Sequence, residues 1–310
     1  MEYKKVFKAE ASIFYNEDHY DKIISEDAMG FKEDGSILFI FKKNVVPASK
    51  SKEYLNCCRS LSKTKTKNRG SGAGYVDVNK FPKQAVSLCN AKGLPLKNEK
   101  IVSCYFKYED DTMAKRCQSN TTRCGVAGYF DETAGLPCRM VGWSSRNLKR
   151  HNNLIPLCET ISNHFKSVAP DVWDYQKSKV NENFNMGESV FSTMTLNYDY
   201  RTACHKDKGD LEGSLSTLTI LEDIKENYEG FYLGLPEYKL MFDIRDGDTL
   251  IFDAHEYHCN TEYKVLSDKL PIDDLTGNNY AGRCAIVAYL RNRIDVCANQ
   301  EHILSEEVST

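Results

Sequence analysis

The sequence lacks the features that mark membrane, secreted and polybasic proteins. No run of about 18 apolar residues occurs, so no transmembrane helix is expected, and the first residues, MEYKKVFKAE, contain no apolar segment of the kind a secretory signal needs. The chain also has no large excess of charge of either sign, because 41 Lys and Arg residues are balanced by 44 Asp and Glu residues, which gives a formal net charge of −3. We therefore expect a soluble intracellular protein of the cytoplasm or nucleus, although a local basic groove stays open.

Paired cysteines, repeats and interdomain linkers are missing as well. The 12 cysteines are scattered and form no C-x-x-C pair, so we expect reduced thiols and no zinc site, with Cys117 and Cys124 left open as metal ligands. No internal repeat and no long Pro, Gly or Ser stretch divides the chain. A length of 310 residues then predicts one large domain.

Hydrophobic patterns predict mixed elements first and a β-rich region later. Apolar residues at steps of three and four predict helices at 50–61 and 154–168, the second ended by Pro170. Alternating and β-branched runs predict strands in both halves, and those in the second half favour a barrel or a double-sheet jelly roll. The predicted strands are 37–41, 101–108, 125–130, 139–143, 189–197, 215–221, 238–244, 249–252 and 285–290.

Two basic clusters stand out. Residues 62–74, SKTKTKNRGSGAG, carry four cations and three glycines and predict a mobile loop that either contacts phosphates or is only solvated. The same alternatives apply to a second cluster. The cations are Lys63, Lys65, Lys67 and Arg69 in the first cluster, and Arg146, Lys149 and Arg150 in the second.

A His-x-Asp pair in the β-rich half predicts a metal site. His205 and Asp207 follow a predicted strand, and alternate residues of an extended chain face the same side. His258 comes 51 residues after Asp207, behind another apolar strand. Two imidazoles and one carboxylate on one face form the triad of non-haem Fe(II) oxygenases, which leaves coordination positions open. His255 competes with His258 for the third position, and we favour His258 because the strand pattern ends after Tyr257.

Arg283 is a candidate anion-binding residue. It opens the apolar strand GRCAIVAYL, 25 residues after His258. Its planar guanidinium can pair with both oxygens of a carboxylate, as the far end of a keto-acid cosubstrate would require.

These blocks resemble the TET and base-J-binding-protein family of 2-oxoglutarate- and Fe(II)-dependent nucleic-acid-base dioxygenases, in its thymine-hydroxylase-like viral or microbial branch. The resemblance rests on NYDYRTACHKDKGD (197–210), residues 228–262 and GRCAIVAYLRN (282–292), and more loosely on residues 125–145 and 68–74. It implies an α+β fold with a double-stranded β-helix (jelly-roll, cupin-like) core at 185–295, flanking helices and an N-terminal α/β extension at 1–124. The whole chain, 1–310, would be one catalytic domain with a polar tail at 300–310.

The resemblance also implies roles for individual residues. His205, Asp207 and His258 would be the catalytic metal ligands, and Arg283 would bind 2-oxoglutarate. Ala285 departs from the family, which often has serine there, and this loss should weaken cosubstrate binding by about 0.5–1.5 kcal/mol. Near the mouth, the candidate substrate-binding residues are Asn197, Tyr200, Arg201 and Asn260.

The implied reaction hydroxylates the 5-methyl group of thymine or 5-methylcytosine in DNA. It would need Fe(II), 2-oxoglutarate and O₂, with ascorbate as a candidate reductant, and a duplex base would have to be flipped out. One alternative keeps the enzyme but changes the substrate to a protein side chain, a free nucleoside or a small molecule. Another is a catalytically silent barrel that binds modified bases or a partner protein, which the intact triad argues against.

Overall fold

The computed structural model describes residues 1–76, 87–90, 92–96, 100–115, 117–132 and 136–297, so the predicted tail at 300–310 lies outside the described residues. Within them the chain forms eighteen strands and five α-helices. The strands are β1 (Glu2–Tyr3), β2 (Lys22–Ile24), β3 (Ala28–Lys32), β4 (Ile37–Lys42), β5 (Lys65–Thr66), β6 (Ser87–Cys89), β7 (Tyr105–Lys107), β8 (Thr122–Phe130), β9 (Arg139–Met140), β10 (Thr193–Tyr198), β11 (Ser216–Glu222), β12 (Tyr228–Gly230), β13 (Leu233–Leu235), β14 (Leu240–Phe242), β15 (Thr249–Phe252), β16 (Cys259–Asn260), β17 (Tyr263–Val265) and β18 (Arg283–Tyr289). The helices are α1 (Ala48–Ser62), α2 (Gly142–Arg146), α3 (Leu148–Asn152), α4 (Ile155–Val168) and α5 (Pro170–Lys179).

Two sheets carry the architecture. The larger has the strand order β1-β3-β4-β15-β11-β18-β10-β8-β5, with β9 added to β8, and the smaller has the order β16-β13-β14-β2. Pairing is antiparallel except between β1 and β3 and between β14 and β2. Strands distant in sequence are therefore neighbours: β18 lies between β10 and β11. This strand order is the jelly-roll arrangement expected from the sequence.

An apolar core joins the two sheets. Phe39 and Phe252 from the larger sheet belong to one buried cluster with Leu235 and Phe242 from the smaller sheet. The rings of Phe39 and Phe242 meet edge to face, with centroids 4.8 Å apart. Burial of such side chains stabilises each by about 1.5–3 kcal/mol and holds the sheets together.

The helices cover the opposite face of the larger sheet. On α4, Leu157, Ile161 and Phe165 recur at four-residue steps and are fully buried against that sheet. Trp173 of α5 packs in the same cluster, and its indole N–H donates to the Ser162 hydroxyl at 3.0 Å. The predicted helix at 154–168 thus forms because its apolar stripe covers the sheet.

Two local predictions were wrong. Pro170 ends α4, as expected, but it also begins α5, which the sequence analysis missed; proline suits a first helical position because its missing N–H has no partner there. The predicted strand at 139–143 stops at Met140, and α2 begins at Gly142. Both errors lie where one element follows another without a turn-rich spacer.

The basic segment 62–74 contains a short strand and a 3₁₀ turn where the sequence analysis predicted a loop. Its β5 strand pairs with the edge of β8, and Lys65 forms an ion pair with Asp274. A 3₁₀ turn, Gly70–Ala73, packs so closely that a Cβ on Gly72 would lie 3.5 Å from the His205 ring. The strand β5 forms here because its backbone groups pair with the edge of β8.

One pair of cysteines also corrects the expectation of reduced thiols. Cys138 and Cys297 form a disulfide with a Cα–Cα separation of 5.9 Å, and they lie 159 residues apart in the sequence. The other ten cysteines are free. The disulfide connects the residue directly before β9 to the 3₁₀ turn Asp295–Cys297, which follows β18. Both cysteines belong to a small apolar cluster.

We predict that this disulfide contributes measurably to stability. A cross-link that closes so long a loop restricts the unfolded chain, which stabilises the folded state by about 3–5 kcal/mol. Cys297→Ser should therefore lower the melting temperature of the oxidised protein, as measured by calorimetry. Wild-type protein reduced with dithiothreitol is the matched control and should melt like the variant. Equal melting of oxidised wild type and variant would contradict the prediction.

Candidate active site

A cavity of about 190 Å³ opens between the two sheets. Strands β10, β11, β15 and β18 of the larger sheet and β13 of the smaller sheet contribute its walls. One end is polar and charged, while Leu218, Leu233 and Phe252 make part of the wall apolar. The His, Asp, Lys and Arg side chains that line it are Arg69, His205, Asp207, Lys208, Asp210, His258, Arg283 and Arg291.

A backbone bridge holds two of these groups together. The N–H of His205 donates to the carbonyl of His258 at 3.0 Å, and the N–H of His258 donates to the carbonyl of His205 at 3.0 Å. The N–H of Asp207 donates to the Ala254 carbonyl at 2.9 Å. These bonds place three side chains from two distant segments around one point.

The three side chains present metal-binding atoms to a common space. His205 Nε2 lies 3.6 Å from one carboxylate oxygen of Asp207, and His258 Nε2 lies 3.7 Å from the other. One ligand atom from each residue lies within 4.8 Å of the other two. Among the described residues this is the one group of three or more His, Cys, Asp or Glu side chains placed closely enough to share an ion.

Hydrogen bonds orient both imidazoles for metal binding. Nδ1 of His205 lies 2.8 Å from the Ala203 carbonyl oxygen, and Nδ1 of His258 lies 2.9 Å from that of Glu256. A carbonyl oxygen only accepts, so each Nδ1 carries the proton and each Nε2 keeps its lone pair. Both lone pairs are therefore available on the side of Asp207.

The charges of the site favour a neutral His205 and an ionised Asp207. Burial, the neighbouring His258 and the charge of Arg69 lower the pKa of His205 to about 4. Burial acts to raise the pKa of Asp207, but His205, His258 and Arg69 outweigh it and hold that pKa below its ordinary value. Neutral imidazole and carboxylate are the forms that bind a divalent metal, so this donor set suits Fe(II) with open coordination positions.

Arg283 lines the same cavity. It begins β18, its side chain is only 2% exposed, and its guanidinium lies over the Phe231 ring at 4.5 Å. Asp199 fixes the backbone there, because its carboxylate accepts from the N–H of Arg283 at 2.7 Å and of Gly282 at 3.0 Å. Within the described part of the chain, Nε and Nη2 of Arg283 have no hydrogen-bond partner. A buried cation with free donors suits a carboxylate ligand.

His255, the competing third ligand, points elsewhere. Its Nδ1 lies 3.2 Å from a carboxylate oxygen of Asp253, and its Nε2 lies 3.2 Å from the Asp210 carbonyl. Both ring nitrogens are therefore engaged outside the cluster. The structure brings His258, and not His255, beside His205 and Asp207.

The four candidate substrate residues occupy different places. Tyr200 lies between the cavity and a wider neighbouring cleft, and its hydroxyl donates to the Gly72 carbonyl. Arg201 lines only that cleft, where it stacks on Phe14 at 4.7 Å. Asn260 lines the cavity and accepts from the Thr202 hydroxyl at 2.7 Å. Asn197 lines the cavity and pairs with Ala285 across strands β10 and β18.

Arg69 is a cavity residue whose location the sequence did not predict. It was assigned to a phosphate-contacting loop, yet it lines the cavity, and its charge acts on Asp207. Nothing local signals this, since the contact is long-range. The wall residues of β18 could have been found, because Arg283, Val287 and Tyr289 are separated by even numbers of residues and share one face.

The comparisons with known proteins match this geometry. Residues 125–292 match the family Tet_JBP, described as the oxygenase domain of the 2OGFeDO superfamily. Thymine dioxygenase JBP1 of Trypanosoma brucei brucei is 35% identical over 144 residues, which cover 46% of this chain and 17% of that protein. Thymine dioxygenase JBP1 of Leishmania major is 27% identical over 200 residues, covering 64% of this chain and 23% of that protein. The chain thus corresponds to less than a quarter of either relative.

The fold has a counterpart among solved structures. NgTET1 in complex with 5mC DNA superimposes with a TM-score of 0.51 at 14% identity, covering 93% of this chain and 88% of that one. This likeness confirms the predicted α+β fold with a double-stranded β-helix core. The family match covers more than half of the sequence, and it includes the metal-site cluster and Arg283. The chain therefore belongs to the Tet_JBP family, the oxygenase domain of the 2OGFeDO superfamily.

Proposed function

We propose that this chain is a 2-oxoglutarate- and Fe(II)-dependent dioxygenase that hydroxylates the 5-methyl group of a pyrimidine base in DNA. Thymine is the first candidate base, because relatives at 35% identity are thymine dioxygenases. 5-Methylcytosine is the second, since the structural neighbour is bound to 5mC DNA. The proposal concerns the oxygenase domain, as the relatives are much longer proteins.

One observation carries the proposal above all others. His205, Asp207 and His258 converge on one point, and Arg283 presents unpartnered donors to the same small cavity. A buried guanidinium with a purely structural role would be expected to have partners for its donors, because unsatisfied buried charge is costly. A metal and a dicarboxylate together would satisfy both features.

Bound together, Fe(II) and 2-oxoglutarate supply a reaction in which O₂ converts 2-oxoglutarate to succinate and CO₂ and the substrate methyl group to a hydroxymethyl group. The residues of this chain position those components. His205, Asp207 and His258 would hold the metal on one face, and Arg283 would pair with the distal carboxylate of the cosubstrate. Leu218 and Phe252 on the apolar wall would exclude water from the reacting groups.

Substrate would enter from the wider cleft that adjoins the cavity at Tyr200. The metal-site side chains are largely buried, so a base within a duplex could reach them only if flipped out. A DNA substrate would also place the action of the protein inside the cell. No helix in the described part of the chain is both long and apolar enough to span a membrane.

The charge of the cleft favours a second candidate substrate class. Its lining mixes the cations Arg123, Arg201 and Lys264 with acidic side chains such as Glu229 and Glu262. Phosphate backbones prefer a positively charged surface, so a free nucleoside or a protein side chain is the alternative substrate of the same chemistry.

The test of both candidates is nucleoside mass spectrometry. Purified protein would be incubated with Fe(II), 2-oxoglutarate and ascorbate on single- and double-stranded DNA that contains thymine and 5-methylcytosine. We expect one added oxygen on one of these bases, and none with His205→Ala. Succinate formed by wild type without a modified base would support the alternative substrates. Absence of both succinate and modified base, with metal and 2-oxoglutarate bound, would contradict dioxygenase activity.

The choice between the two histidines near β15 gives a matched pair of variants. His258→Ala should reduce turnover by at least about a thousandfold, since it removes a metal ligand, and should weaken Fe(II) binding. His255→Ala should stay within about threefold of wild type, because both of its ring nitrogens bond outside the cluster. Metal content and succinate formation measure the two effects. The reverse pattern would assign the third ligand to His255.

A change at Arg283 tests the assignment of the cosubstrate carboxylate. Arg283→Lys keeps the charge but loses the planar pair of donors. A lost hydrogen bond to a charged group is worth about 1.5–3 kcal/mol, so the KM for 2-oxoglutarate should rise about ten- to hundredfold. The KM for the DNA substrate should be nearly unchanged. An effect confined to the DNA substrate would argue that Arg283 binds a phosphate instead.

A further inference from the structure

The wall beside Arg283 lacks a polar group where strand geometry would allow one. Arg283 and Ala285 are two residues apart on β18, so their side chains lie on the same face, and both line the cavity. Ala285 offers neither a donor nor an acceptor. A carboxylate held by Arg283 would therefore receive no second hydrogen bond from its own strand.

The neighbouring strand supplies the missing group. Asn197 of β10 pairs directly with Ala285 of β18 in the antiparallel register. Directly opposed residues share one face, with their Cβ atoms about 4.5–5.5 Å apart. The Asn197 side chain thus stands over Ala285 and next to Arg283, on the cavity wall.

Asn197 is buried without a complete set of partners. Asn197 is only 7% exposed, and its Oδ1 has no hydrogen-bond partner among the described residues. Nε and Nη2 of Arg283 also have no hydrogen-bond partner among the described residues. Other hydroxyls of the cavity are satisfied, since Thr195 bonds to the Tyr289 hydroxyl and Thr202 to Asn260. Buried orphan groups are costly unless a ligand completes them.

The amide of Asn197 can serve a carboxylate. Its oxygen and nitrogen positions exchange by rotation of the side chain, so either can face the cavity. With the nitrogen turned inward, Asn197 donates to an anion that Arg283 also holds. One carboxylate would then accept hydrogen bonds from the free donors of Arg283 and from the amide nitrogen of Asn197.

We propose that Asn197 is a 2-oxoglutarate-binding residue that takes the place of a hydroxyl at position 285. This inference rests on the proposed function and assigns Asn197 to the cosubstrate instead of the DNA base. The carboxylate would then have two binding residues, Arg283 on β18 and Asn197 on the neighbouring strand β10.

The test measures cosubstrate binding without turnover. Fe(II)-loaded protein would be titrated anaerobically with 2-oxoglutarate, and the visible charge-transfer absorption of the chelate followed. Asn197→Ala should raise the Kd by about ten- to hundredfold, the range for a lost hydrogen bond to a charged group. Ala285→Ser added to Asn197→Ala should recover about tenfold of that loss. In the wild-type background Ala285→Ser should change the Kd by less than about threefold, because Asn197 already makes the contact.

A matched control separates this role from general damage to the strand. Thr193 lies on the same strand and face but outside the cavity lining, and its hydroxyl donates to the Tyr129 carbonyl at 2.7 Å. Thr193→Val should leave the Kd within about twofold of wild type even where it lowers the melting temperature.

Three results would overturn the proposal. They are an unchanged Kd in Asn197→Ala, a loss that Ala285→Ser does not repair, and an effect of Asn197→Ala on the DNA substrate alone. The outcome is separable from that of the proposed function. If wild type binds 2-oxoglutarate in an Asn197-dependent way but modifies no DNA base, the substrate assignment fails and this inference stands.

Discussion

The paired backbone hydrogen bonds between His205 and His258 are the constraint on which the site depends. They join two segments that are far apart in sequence, and each histidine keeps its ring in place through a second bond to a nearby carbonyl. Because main-chain hydrogen bonds fix the positions of both histidines, their metal-binding atoms and those of Asp207 face one common point. Such preorganisation strengthens ligand binding, because binding does not then have to order the side chains.

The N-terminal part of the chain completes this centre. Backbone bonds of 2.7 Å join Ser12 and Ile13 to Cys204, directly before the first histidine. The turn at Gly72 packs on the His205 ring, and Arg69 beside it adds positive charge to the cavity. The site therefore needs residues that lie outside the region matched by the family. Its electrostatic balance is set by contacts between parts of the chain that form no continuous motif.

Local patterns explain what the sequence could predict. The period of two in β10 and β18 and the His205-x-Asp207 pair are local patterns, and His258 could be predicted because it closely follows an apolar strand; the matching strands and cluster are present. The position of Arg69 and the Cys138–Cys297 disulfide depend on contacts between distant segments, which no local pattern encodes. The start of α5 at Pro170 was missed because proline both ends one helix and suits the start of the next.

Buried polar atoms without hydrogen-bond partners cost stability, and in this fold several of them line the cavity where a ligand would bind. Several polar side chains around the cavity keep atoms without a hydrogen-bond partner among the described residues, namely Nε and Nη2 of Arg283, Oδ1 of Asn197, and Nε of Arg69 and of Arg291. Tyr228 and Glu222 lie close enough to act on the Arg283 charge, but the Glu222 carboxylate accepts from the Tyr228 hydroxyl at 2.6 Å, and Nε and Nη2 of Arg283 have no hydrogen-bond partner among the described residues. Local rules of polar satisfaction are broken where a ligand must bind. The free donors of Arg283 therefore suit an anion, and the His205, Asp207 and His258 side chains of the same cavity suit a metal.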